Sequence, residues 1–186
     1  MNEPTRAADG LHIGATSDLP EALNWRINWH VAKYADDDAY DADQPYEVAD
    51  IPGNLLTTAG IARLVSLLTG GGGQAVTSTS ARVGVGNGAG TAAVGDTDLS
   101  ASAGSANRWF QTATVTTPSG VLTLSATFGP TDGNFAWNEF GIDVGTPTVS
   151  SGNTVGALLL NHKTAIAQGT KASGQTWTAT ATVTFS

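Results

Sequence analysis

The chain of 186 residues contains no cysteine and few charged residues. Because it has no thiol, it can form neither disulfides nor a thiolate nucleophile. Charged residues make up only 13% of the chain, which is about half the usual share. Apolar residues make up 40%, so the chain has enough apolar material for the core of one ordinary domain with an appendage.

Basic residues are also scarce. Only eight Lys and Arg occur, no two of them adjacent, and the formal net charge is −8. Phosphate binding needs clustered basic residues, so we expect no nucleic-acid partner. No apolar run approaches the ~18 residues that a membrane-spanning helix requires, so we expect no membrane insertion. The first ten residues, MNEPTRAADG, lack the basic start and apolar run of a signal peptide, so export by that route is not expected.

Residues 1–52 are predicted to form an N-terminal arm that contains one amphipathic strand. The stretch LNWRINWHV alternates apolar and polar residues without a break, as a strand with one apolar face does. Two Trp on one short strand need a large apolar surface to cover them. We therefore expect this face to dock on a neighbouring chain, through Leu23, Trp25, Ile27, Trp29 and Val31.

Residues 53–70 are predicted to form an amphipathic helix. Apolar residues recur at helical spacing, at Ile61, Leu64, Val65 and Leu68. Asn54 suits the N-cap, and Gly70 supplies a left-handed stop.

Residues 71–186 are rich in Gly, Ser and Thr, and short strand patterns follow one another with frequent turns. The last segment is the clearest, because Trp177, Ala179, Ala181, Val183 and Phe185 alternate with threonines. The pattern predicts a mainly β protein, an antiparallel β-sandwich of jelly-roll-like type, preceded by the helix and the arm.

Several motifs resemble cofactor or metal sites, but each lacks a feature that such a site requires. The glycine series from Gly84 to Gly90 contains a formal G-x-G-x-x-A, but no helical period follows it, so a strand end with a loop is favoured. The acidic segment Asp36–Asp43 lacks the spacing of a calcium loop, and a solvated charged loop is favoured. His12, His30 and His162 show no ligand spacing, and we place His162 on the polar face of a strand. No cofactor is expected.

The stretch NFAWNEFGIDVG places Glu139 and Asp143 among aromatic rings, as in some glycosidases. Residues four apart on a strand lie roughly 13 Å apart at ~3.3 Å per residue. Glycosidase carboxylates lie ~5 Å apart in retaining enzymes and ~6.5–9.5 Å apart in inverting ones. The pair therefore makes a poor catalytic dyad. We predict Glu139 to be a buried, hydrogen-bonded strut of a central strand, with Trp137 and Trp177 as further structural residues, and no catalytic residue.

The order of these segments resembles a family of bacteriophage virion proteins. The stretches that carry the resemblance are VGVGNGAGTAAVGDTDL, FAWNEFGI, LLLNHK and KASGQTWTATATVT. They lie within residues 53–186, in the order found in minor tail and tail-fibre-associated proteins of phages of high-GC bacteria. The resemblance implies a β-sandwich that assembles symmetrically, without enzymatic residues.

The expected function is thus a structural part of a phage particle, such as a minor tail, fibre-base or capsid-surface protein. It would be assembled in the host cytoplasm as a trimer or another ring, with other virion proteins as partners. One alternative is a module that binds a host-surface glycan by stacking sugars on Tyr40 or Trp109. A cell-wall polysaccharide hydrolase acting through Glu139 and Asp143 is a weaker alternative.

Overall fold

The computed structural model describes residues 25–145, 148–150, 153–155 and 158–185. The strands in these ranges are β1 (Trp25–Tyr34), β2 (Glu47–Pro52), β3 (Leu55–Leu56), β4 (Ala81–Gly86), β5 (Arg108–Thr112), β6 (Thr114–Thr116), β7 (Leu122–Phe128), β8 (Glu139–Val144), β9 (Thr148–Ser150), β10 (Asn153–Val155), β11 (Leu158–Thr164) and β12 (Thr176–Phe185). The helices are α1 (Asp37–Asp41), α2 (Thr58–Leu68) and a short 3-10 helix at Pro118–Gly120.

Two five-stranded antiparallel sheets form the body of the protein. The first sheet has the order β2-β1-β12-β7-β6 and the second has the order β3-β11-β8-β4-β5, while β9 and β10 form a separate hairpin. Apolar side chains from both sheets share one core, including Trp29 and Phe128 from the first sheet and Val85 and Phe140 from the second. The prediction of a mainly β, antiparallel two-sheet protein is confirmed. The jelly-roll-like strand order stays a prediction.

The amphipathic strand β1 lies inside the first sheet, between β2 and β12. It pairs along its whole length with the last strand, from Trp25 opposite Phe185 to Tyr34 opposite Thr176. Its apolar face turns into the core, where Ile27, Trp29 and Val31 are almost fully buried.

This burial corrects the expectation that Ile27, Trp29 and Val31 dock on a neighbouring chain, because the second sheet of the same chain already covers them. It also corrects the division at residue 52, since β1 and β2 belong to the same sheet as β12. Trp25 is only partly buried, and Leu23 lies outside the described residues.

Helix α2 begins later than the sequence predicts. Leu55 and Leu56 form β3 and pair with β11, so Asn54 is not the N-cap. Thr57 takes that position, and its hydroxyl accepts a hydrogen bond of 2.9 Å from the Gly60 amide. The helix ends as predicted, with Gly70 in the left-handed region at a φ of 70°.

The acidic segment between β1 and β2 also differs from the prediction. It contains the short helix α1 rather than only a loop. Asp36 caps this helix, because its carboxylate accepts a hydrogen bond of 2.8 Å from the Ala39 amide. Carboxylates in the first turn, Asp37 and Asp38, further favour the helix through its dipole.

Helix α2 lies against β11 through Gly60, its one buried residue. A Cβ added at Gly60 would collide with the Leu160 carbonyl oxygen and lie 2.9 Å from its carbon. The closeness of helix and sheet therefore depends on the missing side chain.

We expect Gly60→Ala to lower the free energy of unfolding by roughly 1–3 kcal/mol, the usual cost of overpacking. On helix propensity alone the same change would stabilise an exposed helix by about 1 kcal/mol. Urea denaturation at neutral pH measures the difference. Gly95→Ala is the control, because a Cβ there meets nothing within 4 Å. Stabilisation by Gly60→Ala would contradict the packing described for α2.

Candidate functional site

Glu139 is the first residue of β8, the central strand of the second sheet, and its side chain is fully buried. One carboxylate oxygen, Oε1, accepts hydrogen bonds from the backbone amides of Ala101 at 2.8 Å and Gly88 at 3.3 Å. The other, Oε2, accepts from the Ser100 amide at 2.9 Å and from the Ser100 hydroxyl at 2.5 Å. The prediction that Glu139 is buried and hydrogen-bonded is confirmed.

His162 lies on the neighbouring strand β11 and connects Glu139 to a second carboxylate. Its Nε2 lies 2.8 Å from Glu139 Oε2, and its Nδ1 lies 2.6 Å from Asp96 Oδ2. Each ring nitrogen faces a carboxylate, so both hydrogen bonds are satisfied together only when the imidazole carries both protons. His162 lies among polar partners on its strand, as predicted, but only 1% of it is exposed because the loop between β4 and β5 covers it.

The pKa values of the cluster follow from this geometry. Burial by itself raises the pKa of Glu139, but hydrogen bonds from His162, Ser100 and Ala101 outweigh burial and lower it to about 2. For His162, burial by itself lowers the pKa. Its hydrogen bonds to Glu139 and Asp96 outweigh burial and raise the pKa above the ordinary value. The cluster is therefore an imidazolium held between two carboxylates.

Two glycines make room for Glu139. A Cβ at Gly86 would lie 3.0 Å from the Glu139 Cδ, and one at Gly88 would collide with the Glu139 carboxylate. The glycines of this series therefore let the Glu139 carboxylate, rather than a phosphate, lie close to the backbone. The interpretation of this series as a strand end followed by a loop is confirmed by β4, which ends at Gly86.

The cluster contains a hydroxyl, an imidazole and two carboxylates, but their arrangement does not activate a nucleophile. The Ser100 hydroxyl donates to Glu139, and both imidazole nitrogens are occupied by carboxylates. No ring nitrogen is left to accept the hydroxyl proton, which a serine nucleophile requires. The geometry instead ties the loop between β4 and β5 to the second sheet.

The remaining predicted site residues lie apart from this cluster. Asp143 is buried further along β8, where it is paired in register with Arg82 of β4. Trp137 and Trp177, predicted to be structural, are both buried and pack edge to face at 4.9 Å. Tyr40 and Trp109 belong to different elements, α1 and β5.

Both candidate sugar-stacking rings are engaged within the chain. Tyr40 packs on the Tyr34 ring at 5.2 Å, and its hydroxyl lies 3.2 Å from Thr127 Oγ1. Trp109 packs against the core and donates a 3.3 Å hydrogen bond to Gln111. The structure therefore does not bring them together as one stacking platform.

An apolar groove lies where α2 passes the end of the first sheet. Its volume is about 520 Å³. Ile61, Val65 and Leu68 point into solvent, with 48%, 53% and 86% of their surfaces exposed. The lining residues come from α2, the start of β1, the end of β12 and β3, namely Trp25, Leu56, Ile61, Leu64, Val65, Leu67, Leu68 and Phe185. The predicted helical stripe therefore faces outward as well as inward, since Leu64 packs on the core.

Charge is distributed unevenly along the first sheet. Among the described residues, no charged side chain lines the groove at the start of β1. The acidic helix α1 follows the other end of β1, a strand of ten residues and so roughly 30 Å long at ~3.3 Å per residue. One end of the first sheet is thus apolar, and the other is acidic.

Comparison with protein-family models, curated proteins and solved structures finds no match. Within the described ranges, no helix is long and apolar enough to cross a membrane. The same part of the chain contains no group of three or more side chains suited to holding a metal ion. In the acidic segment, Asp36 caps α1, Asp37 bonds to Thr176, and Asp43 accepts a hydrogen bond from the Tyr34 hydroxyl.

We expect Glu139→Gln to lower the free energy of unfolding by on the order of 3–5 kcal/mol, because it removes one partner of a buried ion pair. The matched control is Asp50→Asn, which breaks the His30–Asp50 pair at 2.8 Å on the surface. Asp50 is 85% exposed, so this change should cost less than about 1 kcal/mol. Equal losses from the two variants in urea denaturation would contradict the role given to Glu139.

The cluster also predicts how stability depends on pH. The folded pKa of Glu139, about 2, lies below its ordinary 4.5. Its stabilisation is therefore present above pH 4.5 and lost as the pH falls toward 2. The folded pKa of His162 lies above its ordinary 6.5, so its stabilisation is complete below pH 6.5 and lost as the pH rises through the folded pKa.

Unfolding free energies measured over this range should fall on both sides of the interval between pH 4.5 and 6.5. The NMR shifts of the His162 ring should report a doubly protonated imidazole at pH 6.5. A singly protonated ring at that pH would contradict the assignment.

Proposed function

We propose that this protein is a structural component of a bacteriophage particle, a minor tail, fibre-base or capsid-surface protein. It assembles in the host cytoplasm as a symmetric oligomer, a trimer or another ring, and joins other virion proteins. The resemblance in residues 53–186 suggests this class. The observation that carries the assembly role is the apolar groove beside α2.

The groove has the properties of an interface. Of the seven large apolar side chains that are exposed in the described residues, four belong to it: Ile61, Val65, Leu68 and Phe185. Contiguous exposed apolar surface of this kind marks a contact with another protein or a ligand. No carboxylate of the described residues lines the groove, although the chain has a net charge of −8. Association there therefore buries apolar surface without bringing acidic groups together.

The alternative of a glycan-binding module has less support. Sugar stacking needs an aromatic face that is open to solvent, whereas Tyr40 packs on Tyr34 and Trp109 packs on the core. The hydrolase alternative is weaker still, because Glu139 is buried and its oxygens are already hydrogen-bonded.

The oligomeric state of the purified full-length chain tests the assembly role. Light scattering should give a multiple of the 18.9 kDa chain mass. The double variant Val65→Ser with Leu68→Ser should shift the population toward monomer at the same concentration, because it removes apolar surface from the groove. The control is Val94→Ser, which changes an exposed apolar residue outside the groove and should leave the mass unchanged. A monomeric wild-type chain would overturn the assembly role.

The virion role has its own test. Purified particles of the phage that encodes this chain should contain it, in a copy number that is a multiple of the order of the oligomer. Quantitative mass spectrometry of the particles measures this number. Absence of the chain from intact particles would overturn the placement in the virion while leaving its oligomeric state unaffected.

A further inference from the structure

We propose that the side chains of Lys171 and Asn134 become joined by an intramolecular isopeptide bond, which the chain forms without a cofactor. The bond links Lys171 Nζ to Asn134 Cγ and releases one molecule of ammonia. It forms within one chain, so it does not depend on the proposed assembly role.

Lys171 is a fully buried lysine whose charge is not paired. It is 0% exposed, and within the described part of the chain it forms no ion pair with a carboxylate. Its Nζ instead donates to two neutral oxygens, the Gly129 carbonyl at 2.7 Å and Asn134 Oδ1 at 2.8 Å. A buried ammonium without a counter-ion is costly, and lysine is rarely fully buried unless it is paired. These surroundings therefore favour an uncharged Nζ.

The other buried lysine, Lys33, shows the usual arrangement. It is 3% exposed, and its Nζ lies 2.7 Å from Glu47 Oε1. Its remaining polar partner is the Gln168 backbone carbonyl, and no side-chain amide faces it. Lys171 differs from Lys33 both in lacking a carboxylate and in facing a carboxamide.

The pKa of Lys171 agrees with this difference. Burial lowers it to about 8, although the charges of Asp132 and Asp37 act in the opposite direction. A neutral lysine amine is a nucleophile, and desolvation is one way in which proteins activate it. A substantial share of the Lys171 amine is therefore neutral at mildly alkaline pH.

The Asn134 carboxamide is oriented to receive that amine. Its oxygen faces Nζ, and its nitrogen, Nδ2, faces away and donates to the Pro130 carbonyl at 2.9 Å. Because a carbonyl bond is ~1.23 Å long, Cγ lies at most about 4 Å from Nζ. A small rotation of either side chain brings the amine to the face of the carbonyl, which is the geometry that attack requires.

Backbone contacts fix the two residues beside each other. The Lys171 amide donates to the Phe135 carbonyl at 3.1 Å, one residue beyond Asn134. Next to this contact, Ala136 and Thr170 form an antiparallel bridge. The amine and the carboxamide are thus held in one geometry, which gives each a high effective concentration at the other.

The reaction balances without a further reactant. The Nζ lone pair forms the bond to Cγ, the Cγ–Nδ2 bond breaks, and one proton passes from Nζ to Nδ2, which leaves as ammonia. Asn134 is exposed, so water can carry the proton and the ammonia can escape. The product is a secondary amide, which carries no charge and so removes the unpaired buried ammonium.

The bond connects the two sheets. Asn134 precedes β8 of the second sheet, and Lys171 precedes β12 of the first. The two residues are 37 positions apart, so the bond restricts the unfolded chain as a disulfide does. A chain without cysteine thereby has a covalent cross-link of another kind.

Mass spectrometry of the full-length chain tests the bond. The purified, folded protein is held at about pH 8.5, above the pKa of Lys171, and is then denatured for measurement of its intact mass. The expected mass is that of the sequence less one ammonia molecule. Trypsin should then release residues 109–163, which contain Asn134, linked to residues 164–186, because it does not cleave after a modified Lys171.

Two variants remove the reacting groups. Lys171→Arg and Asn134→Ala should each have the full mass of the variant sequence and give no linked peptide. The matched control is Lys33→Arg, since Lys33 is also buried but is paired with Glu47. The control should keep both the loss of ammonia and the linked peptide.

Three results would overturn the proposal. The first is the full sequence mass in the folded wild-type chain. The second is a loss of ammonia without the linked peptide, and the third is a loss that persists in Lys171→Arg. An asparagine can also lose ammonia by closing on its own backbone as a succinimide, and the last two results would indicate that reaction. All measurements are made on denatured chains, so the oligomeric state does not affect them.

Discussion

The second sheet depends on one buried carboxylate. Glu139 accepts hydrogen bonds from the backbone amides of Gly88, Ser100 and Ala101, which belong to the irregular segment between β4 and β5. A buried negative charge is costly unless it is paired, and His162 from β11 supplies the positive charge. Two strands and a long loop are thus held by one side chain, and the loop is fixed without a regular ladder of its own. The glycines at 86 and 88 follow from the same constraint.

The two ends of the first sheet present different surfaces to their surroundings. At the start of β1, the exposed face of α2 lies beside Trp25 and Phe185, and at its end α1 displays carboxylates. Polar atoms of the acidic end are largely satisfied by caps and by hydrogen bonds such as Tyr34 to Asp43. At the apolar end, the side chains of Ile61, Val65 and Leu68 remain exposed to solvent. This asymmetry gives the domain a direction, which supports the proposal of assembly through its apolar end.

The sequence predicted the elements better than it predicted their partners. Strict alternation placed β1 and β12 correctly, because side-chain direction in a strand has a period of two. Alternation does not say what covers the apolar face, so the burial of Trp29 by its own chain was missed. Glu139 could be predicted as buried from its apolar neighbours. Its partner His162 could not, because the pairing of β11 with β8 brings the two together. Nor could the bond from His162 to Asp96, which depends on the conformation of the loop between β4 and β5. The run LLLN before His162 was the one available signal for its burial.

The pairing of β1 with β12 has a consequence for synthesis of the protein. These strands come from opposite ends of the described chain, and their register sets Trp25 opposite Phe185. Strand β1 therefore leaves the ribosome long before β12, its pairing partner, has been synthesised. Until then Trp25 and Trp29 lack the strand that lies beside them in the folded sheet. The groove, which needs both Trp25 and Phe185, is complete only when translation has reached the last strand. A chain that terminates before Phe185 therefore lacks one wall of the groove.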